Sequence, residues 1–484
     1  MNRHPTDPLN RRSFLRRAGQ LATVGAATPL GLNLAAMGEA AAFGATDYKA
    51  LVCVFLYGGN DHANTVVSYD DASWSAYRAI RKGGLALERA LLTGTALTPA
   101  TALAAGRSYA LNNAMPQMAS LFNNGKAAVL LNVGPLIRPT TRAEYFNPDR
   151  ARYPLPSQLL SHNDQQSVWQ SQGAEGSTAG WGGRLGDLAL SNNGNSLFTC
   201  ISATGNGVFL SGNSAVQFQM TTVGAVPINA TVYAPHGLRS APYSAHAGDL
   251  LRALITEPRV HVLEDEYNRI TRRAVAAESQ VTAALSRVAI ATAFPQSNSL
   301  ADELKIVAKM IGAREVLGNK RQVFLVSLGG FDFHDELVSA QARLLRKVSE
   351  AMDAFNQATV ELGVADKITT FTASDFGRAL ASNGNGTDHG WGGHHFVVGG
   401  AVRGQSFYGT PPPISIGDSD LPQDQWHIGQ GRLIPTTSVD QYGATLGRWF
   451  GVADSELRQI FPNLNRFGIT QAGINYPVDL GFMK

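Results

Sequence analysis

Short apolar runs that end abruptly in glycine-rich or polar turns recur along this chain and set its architecture. Leu51-Val52-Cys53-Val54-Phe55-Leu56 is uninterrupted and stops at Tyr57-Gly58-Gly59-Asn60-Asp61. A run of that length without polar alternation suits a strand buried on both faces. Residues 127–133, 322–328 and 367–372 repeat the form, ending at Gly134-Pro135, Gly329-Gly330 and Ala373-Ser374-Asp375. Between the last two runs the period changes. Over 335–362, Leu337, Gln341, Leu344, Leu345, Val348, Met352, Phe355 and Thr359 recur mostly at three- and four-residue steps. This predicts an amphipathic helix with Asp335 and Glu336 in its first turn, where the helix dipole favours acids. Strand, long helix and strand make a βαβ unit, so the sheet is at least partly parallel.

Residues 259–293 and 301–317 predict further helices, with Pro258 opening the first, and 438–450 predicts another near the C-terminus. Residues 177–246 are rich in Gly, Asn, Ser, Thr and Val with little helical period, and read as loops and short strands, an insertion or a separate domain. The N-terminus differs from all of this. Arg11-Arg12-Ser13-Phe14-Leu15-Arg16 precedes an uncharged, Gly- and Pro-broken apolar run over 18–38, and Ala40-Ala41-Ala42 follows. The pattern predicts a twin-arginine signal peptide over 1–42, cleaved rather than membrane-spanning, with the export machinery as a partner and a periplasmic or secreted product.

Charge then excludes one class of partner. Five arginines of 1–42 against Asp7 and Glu39 account for the whole formal charge of +3. The remaining 43–484, one large α/β domain in this reading, is close to neutral, which gives no ground for nucleic-acid binding. No later run reaches spanning length, so no membrane span is expected after signal removal. Cys53 and Cys200 both sit in apolar runs and are expected as buried free thiols.

Functional residues of an open α/β sheet collect at the carboxyl ends of its parallel strands, and here those ends carry Asp and His. The four segments are Gly58-Gly59-Asn60-Asp61-His62, Gly329-Gly330-Phe331-Asp332-Phe333-His334, Ser374-Asp375-Phe376-Gly377-Arg378, and Gly386-Thr387-Asp388-His389-Gly390-Trp391-Gly392-Gly393-His394-His395. Of 11 histidines, five (His62, His334, His389, His394 and His395) fall in these four segments. Carboxylates and neutral imidazoles so placed can hold a divalent cation. Individually, Asp61 also suits a helix cap and Asp375 a turn, and Asp332 with His334 suits a hydrogen-bonded pair. His394 and His395 are adjacent, so on a strand they point to opposite faces.

Together with Leu160-Ser161-His162-Asn163-Asp164-Gln165-Gln166, these segments resemble the domain-of-unknown-function family numbered 1501, in order and over nearly the whole of 43–484. That family is similar to the alkaline phosphatase and sulfatase superfamily. The resemblance implies a three-layer sandwich with a central, mostly parallel mixed sheet, two metal positions and a hydroxyl nucleophile. It places Asp61 as the first-strand carboxylate ligand, Asp332 with His334 as the pair for the other metal, Asp375 as the next carboxylate, and His389 or His394 as the late histidine. Two departures stand out: Phe376 occupies the place where the superfamily has a histidine, and Asp332 and His334 are closer in sequence than usual. His62 or His162 could supply a missing ligand.

Ser161, ahead of a polar stretch that could open a helix, is the candidate nucleophile, or else a plain N-cap. Arg378 is a candidate clamp for an oxyanion, or else a structural ion-pair residue. The expectation is an exported metal-dependent hydrolase of phosphate or sulfate esters, small or polymer-borne. Zinc is the first candidate metal, with manganese, magnesium or calcium as others. The competing expectation is a non-catalytic exported protein that keeps the fold and at most one cation.

Overall fold

The computed structural model of the protein describes residues 45–227 and 244–484, without side chains for 244–249. The expected signal segment 1–42 and part of 177–246 lie outside the described residues. In chain order the strands are β1 (Lys49–Leu56), β2 (Val66–Ser68), β3 (Tyr109–Leu111), β4 (Ala127–Gly134), β5 (Cys200–Ser202), β6 (Gln217–Gln219), β7 (Arg321–Leu328), β8 (Ile368–Ser374), β9 (Gly393–Val398), β10 (Ser406–Tyr408), β11 (Thr437–Ser438), β12 (Ile469–Gln471) and β13 (Ile474–Tyr476). Each of the four apolar runs forms a strand with ends shifted by one or two residues; Lys367 falls outside, ending the turn Ala365–Lys367 ahead of β8. The main sheet has the order β10-β4-β9-β8-β1-β7-β5-β6, with β11 also on β4. Strand β9 runs antiparallel to β4 and β8, and the other pairs are parallel.

Helices cover both faces, which is why the strands read as continuous apolar runs. On one face Ala50, Val52, Val54 and Leu56 pack with Leu304, Val307 and Ile311 of the helix Ser299–Gly312, and with Leu345, Val348 and Met352 of the helix Leu337–Glu361. On the other, Phe371, the register partner of Cys53, meets Trp181 of the helix Trp181–Ala189 at 5.5 Å and Tyr442 of the helix Val439–Phe450 at 5.7 Å. The protein is a three-layer α/β sandwich around a mostly parallel mixed sheet. Both cysteines are buried and free. No helix among the described residues is long and apolar enough to cross a membrane.

The βαβ unit spans one strand more than neighbouring pairing would need. Strands β7 and β8 flank β1, so the helix Leu337–Glu361 crosses over β1 to join them. That helix begins later than its pattern predicts. Glu336 is its N-cap in a left-handed conformation (φ 49°), and the Asp335 carboxylate accepts from the Glu336 N–H ahead of the helix rather than lying in its first turn. Pro258 likewise opens no helix. It follows the helix Ser244–Thr256, and the next, Val262–Leu285, starts after His261.

Residues 177–246 hold, in their described part, the loops and short strands their pattern reads as, and one helix it does not show. They contribute β5 and β6 to the main sheet and the helix Trp181–Ala189, whose glycines hide its period. The glycines are there for packing: a Cβ on Gly183 would lie 2.1 Å from the Ser211 backbone, and one on Gly186 2.3 Å from Cys200 Sγ.

The helix Val439–Phe450 starts with a capping box between Ser438 and Gln441. Asp440, in its first turn, is 2 % exposed, and burial raises its carboxyl to about 7. A carboxyl raised on folding favours the fold fully below the ordinary carboxylate range, and that contribution is lost as pH rises through about 7. Asp440→Asn should therefore stabilise the protein at pH 8 by roughly 1 to 3 kcal/mol, and not at pH 4. Urea unfolding at both pH values checks this; equal gains at the two would remove the carboxylate as the cause.

Candidate metal centre

Three turns at the carboxyl edge of the sheet are locked together before any functional side chain is placed. The turn after β1 lies against those after β7 and β8: Phe331 N–H donates to the Tyr57 carbonyl (3.0 Å), and Gly58 N–H to Asp375 Oδ1 (3.2 Å). Gly58 has φ +115°, and a Cβ there would stand 2.5 Å from the Asp332 backbone nitrogen, so glycine is required for the approach.

Asp332 is the hub. Its Oδ1 lies 2.6 Å from Arg378 Nη1, 3.1 Å from His389 Nε2 and 3.1 Å from His334 Nε2, and its Oδ2 lies 3.4 Å from His162 Nε2. Donor atoms of His162, Asp332 and His389 all lie within 4.8 Å of one another, which makes them a possible metal site. His334 Nε2 adds a fourth group, 3.0 Å from His389 Nε2. All four side chains are partly open to solvent, Asp332 by 41 %.

The outer nitrogens decide what the inner ones can do. His162, first residue of the helix His162–Ser171, places Nδ1 2.6 Å from Asp375 Oδ2, and Gln166 one turn on donates to the same oxygen (2.8 Å). His389 Nδ1 lies 2.8 Å from the Leu160 carbonyl. A carbonyl can only accept, so His389 Nδ1 carries its hydrogen and, in the neutral ring, Nε2 presents a lone pair. Asp375 directs His162 in the same way. Two imidazole lone pairs therefore face a carboxylate, which is repulsive unless a cation or a proton lies among them. The donor set fits a cation held by imidazole and carboxylate, with the outer acceptors fixing the ring orientations.

The electrostatics follow from the same contacts. The Asp375 hydrogen bond raises His162 above the ordinary histidine range, against the effect of burial. Burial lowers His389, despite the opposing Leu160 contact. Burial pushes Asp332 up, but the hydrogen bond and charge of Arg378 outweigh it and hold the carboxyl low. Phe376, where the resemblance would put a histidine, is buried with its ring 4.8 Å from His162 and 4.6 Å from His389. It forms an apolar wall behind the two imidazoles.

Asp332, His334 and His389 of the sequence candidates are thus brought together, with His162. Asp61, Asp375 and His394 are not among the converging groups. Asp61 is fully buried and saturated: it caps the short helix His62–Thr65 through Asn64 N–H (2.9 Å), pairs with Arg81 Nη2 (2.7 Å) and accepts from Thr387 Oγ1 (2.9 Å). Asp375, equally buried, spends both oxygens on Gly58, His162 and Gln166. His394 accepts from Asn132 N–H through Nδ1 (3.0 Å) and faces His62, while His395 points the other way, toward Thr372 and Trp169. Their opposed directions are those the strand pattern implies.

Arg378 is fully buried with Nη1 on Asp332 and the Gly58 carbonyl and its other nitrogens on Thr387, so its guanidinium is committed to the scaffold. Ser161 is the N-cap residue of the helix that carries His162, but its hydroxyl donates to Asp164 Oδ2 (2.9 Å) instead of capping. Gln166 and Arg81 were not singled out from sequence. The four-residue spacing of His162 and Gln166 was a signal for the first; nothing local marks Arg81.

Fold and site define an α/β protein with an Asp/His centre on the carboxyl edge of its sheet. The chain belongs to the family described as "Protein of unknown function (DUF1501)", whose model matches residues 48–461. No curated protein matches it. Among solved structures, it is similar to Ps i-CgsB in complex with k-i-k-neocarrahexaose (9 % identity, 87 % of this chain and 77 % of that one, TM-score 0.34). It is also similar to the lipoteichoic acid synthase LtaP from Listeria monocytogenes (10 %, 87 % and 78 %, 0.31) and to the PsFucS1 sulfatase from Pseudoalteromonas sp. (10 %, 90 % and 73 %, 0.34). Likeness of this degree assigns no activity.

Proposed function

We propose that the protein is an exported, metal-dependent hydrolase of phosphate or sulfate esters that works with one cation, held by His162, Asp332 and His389 with His334 beside them. The observation that carries this is the convergence of donor atoms of His162, Asp332 and His389 within 4.8 Å of one another, with Asp375 and the Leu160 carbonyl holding the outer nitrogens of the two rings. Two imidazoles and a carboxylate make zinc the first candidate. The ester class comes from the resemblance in sequence, and the location from the twin-arginine pattern. A bound cation would supply Lewis acidity and an activated water at neutral pH. Asp375 orients His162, Phe376 keeps water from the back of the rings, and Arg378 holds Asp332 in place. Ser161, one residue before His162, is the side-chain nucleophile to test; turnover that survives Ser161→Ala would assign the attack to water.

The decisive experiment is metal analysis of the natively purified protein, followed by turnover of aryl phosphate and aryl sulfate esters with and without chelator. About one equivalent of metal and chelator-sensitive turnover are expected; neither metal nor turnover would overturn the proposal. Asp375→Asn should weaken metal affinity by about 10- to 100-fold while the fold persists, because it removes the acceptor that orients His162. Competition against a chromogenic chelator measures this, and an unchanged affinity would remove Asp375 from the centre. A second reading, a non-catalytic protein with one cation, is favoured by the sealed state of Asp61, where a guanidinium already supplies the positive charge. It predicts bound metal without turnover.

A further inference from the structure

The helix Val262–Leu285 packs its C-terminal half into the main core through Ala277, Val281 and Ala284, which recur at four- and three-residue steps along one side. The same alternation runs on toward the N-terminus through Ala274, Ile270, Tyr267 and Leu263. There the seam is open to solvent: Ile270 is 50 % exposed, Tyr267 65 % and Leu263 74 %. The preceding helix, Ser244–Thr256, does not close it. The two helices are tied along another side, where Asn268 donates to the Leu254 (3.0 Å) and Glu257 (2.7 Å) carbonyls and Arg272 to the Thr256 carbonyl (2.8 Å). Leu250 and Leu254 are exposed as well, and an open groove of about 510 Å³ is lined by Leu254, Leu263 and Tyr267.

Single exposed apolar residues need no explanation, but one seam that is core at one end and solvent at the other is a packing face without its partner. We infer that this face pairs with the same face of a second copy of the chain, the two helices running antiparallel about a twofold axis near residues 268 and 269. Two features of the helix fit that occupant. In this alignment Leu263 lies opposite Ala274 and Tyr267 opposite Ile270, so each open seam position meets another, as a contact between identical surfaces requires. On one flank of the seam, Glu266 of each copy falls beside Arg273 of the other, an attractive pair made twice. Parallel pairing would instead bring the acidic turn of Glu264, Asp265 and Glu266 against its own copy. An anionic bilayer is disfavoured by the same three acids.

Sedimentation of the natively purified full chain tests this, and a dimer at micromolar concentration is expected. Tyr267→Glu should weaken dimerisation at least ten-fold while the thermal midpoint of the monomer stays unchanged, because the ring is exposed in the single chain. Arg273→Glu should weaken it about three-fold, and adding Glu266→Arg should restore it. Cross-linking reads the alignment independently. Leu263→Cys combined with Ala274→Cys should give a covalent dimer under mild oxidation, and either substitution alone should not. The two positions are about 16 Å apart along one helix, too far for a disulfide within a chain, and Cys53 and Cys200 are buried. A monomeric natural protein, whether or not it floats with phosphatidylglycerol vesicles, would overturn the assignment. So would a dimer that Tyr267→Glu leaves as tight, or cross-linking by Leu263→Cys alone as complete as by the pair.

Discussion

Asp61→Ala should destabilise the protein by about 3 to 5 kcal/mol while leaving its metal content unchanged. The Asp61–Arg81 pair is 2.7 Å long with both side chains fully buried. Arg81 also donates to the Ala379 and Leu380 carbonyls, and its Nη1 is buried without a partner, so the guanidinium has little to turn to. Alanine would leave that charge uncompensated, remove the cap on Asn64 N–H and free the Thr387 hydroxyl. The pH dependence has a definite sign. Burial pushes the Asp61 carboxyl up, but the charge of Arg81 wins and holds it below its ordinary value. Its contribution is therefore complete above the ordinary carboxylate range and is lost as pH falls through the depressed value. Urea unfolding at neutral and acidic pH, with metal analysis alongside, measures both parts. A loss under about 1 kcal/mol at neutral pH would contradict the ion-pair assignment, and a variant that folds but has lost its metal would return Asp61 to the ligand set.

Asp332→Ala should abolish metal binding and reduce any ester turnover by at least about a thousandfold, since the carboxylate is the one group that meets all three imidazoles. It also leaves the buried Arg378 without its carboxylate, so a loss of stability will accompany the loss of metal. His389→Ala separates the two effects, because the Asp332–Arg378 pair survives it. Metal loss with near-natural stability is the expected outcome for that variant. Full metal occupancy in both variants would place the cation elsewhere.

The sequence by itself determined four strands of the main sheet, because a strand buried on both faces writes an unbroken apolar run: 51–56, 127–133, 322–328 and 368–372 all lie in it. It determined the long helix over 337–361 through its period, and the opposed directions of His394 and His395 through strand geometry. It also gathered the chemistry at the strand ends, since the turns that follow parallel strands share one edge of the sheet. The helix Trp181–Ala189 was hidden because its glycines answer to Phe209, Ser211 and Cys200, neighbours that no local pattern records.

The division of labour among the acids was left to the tertiary structure. Asp61, Asp332 and Asp375 follow similar strands and similar glycine-rich turns, yet one is paired to Arg81, one is the hub of the imidazoles, and one orients His162 from behind. What separates them is which partner lies within about 3 Å, the range over which a hydrogen bond or ion pair forms. Arg81 reaches Asp61 and His162 reaches Asp332 only after distant segments pack together. Hydrophobic periodicity records which side of an element is buried and carries no record of which polar group meets it there.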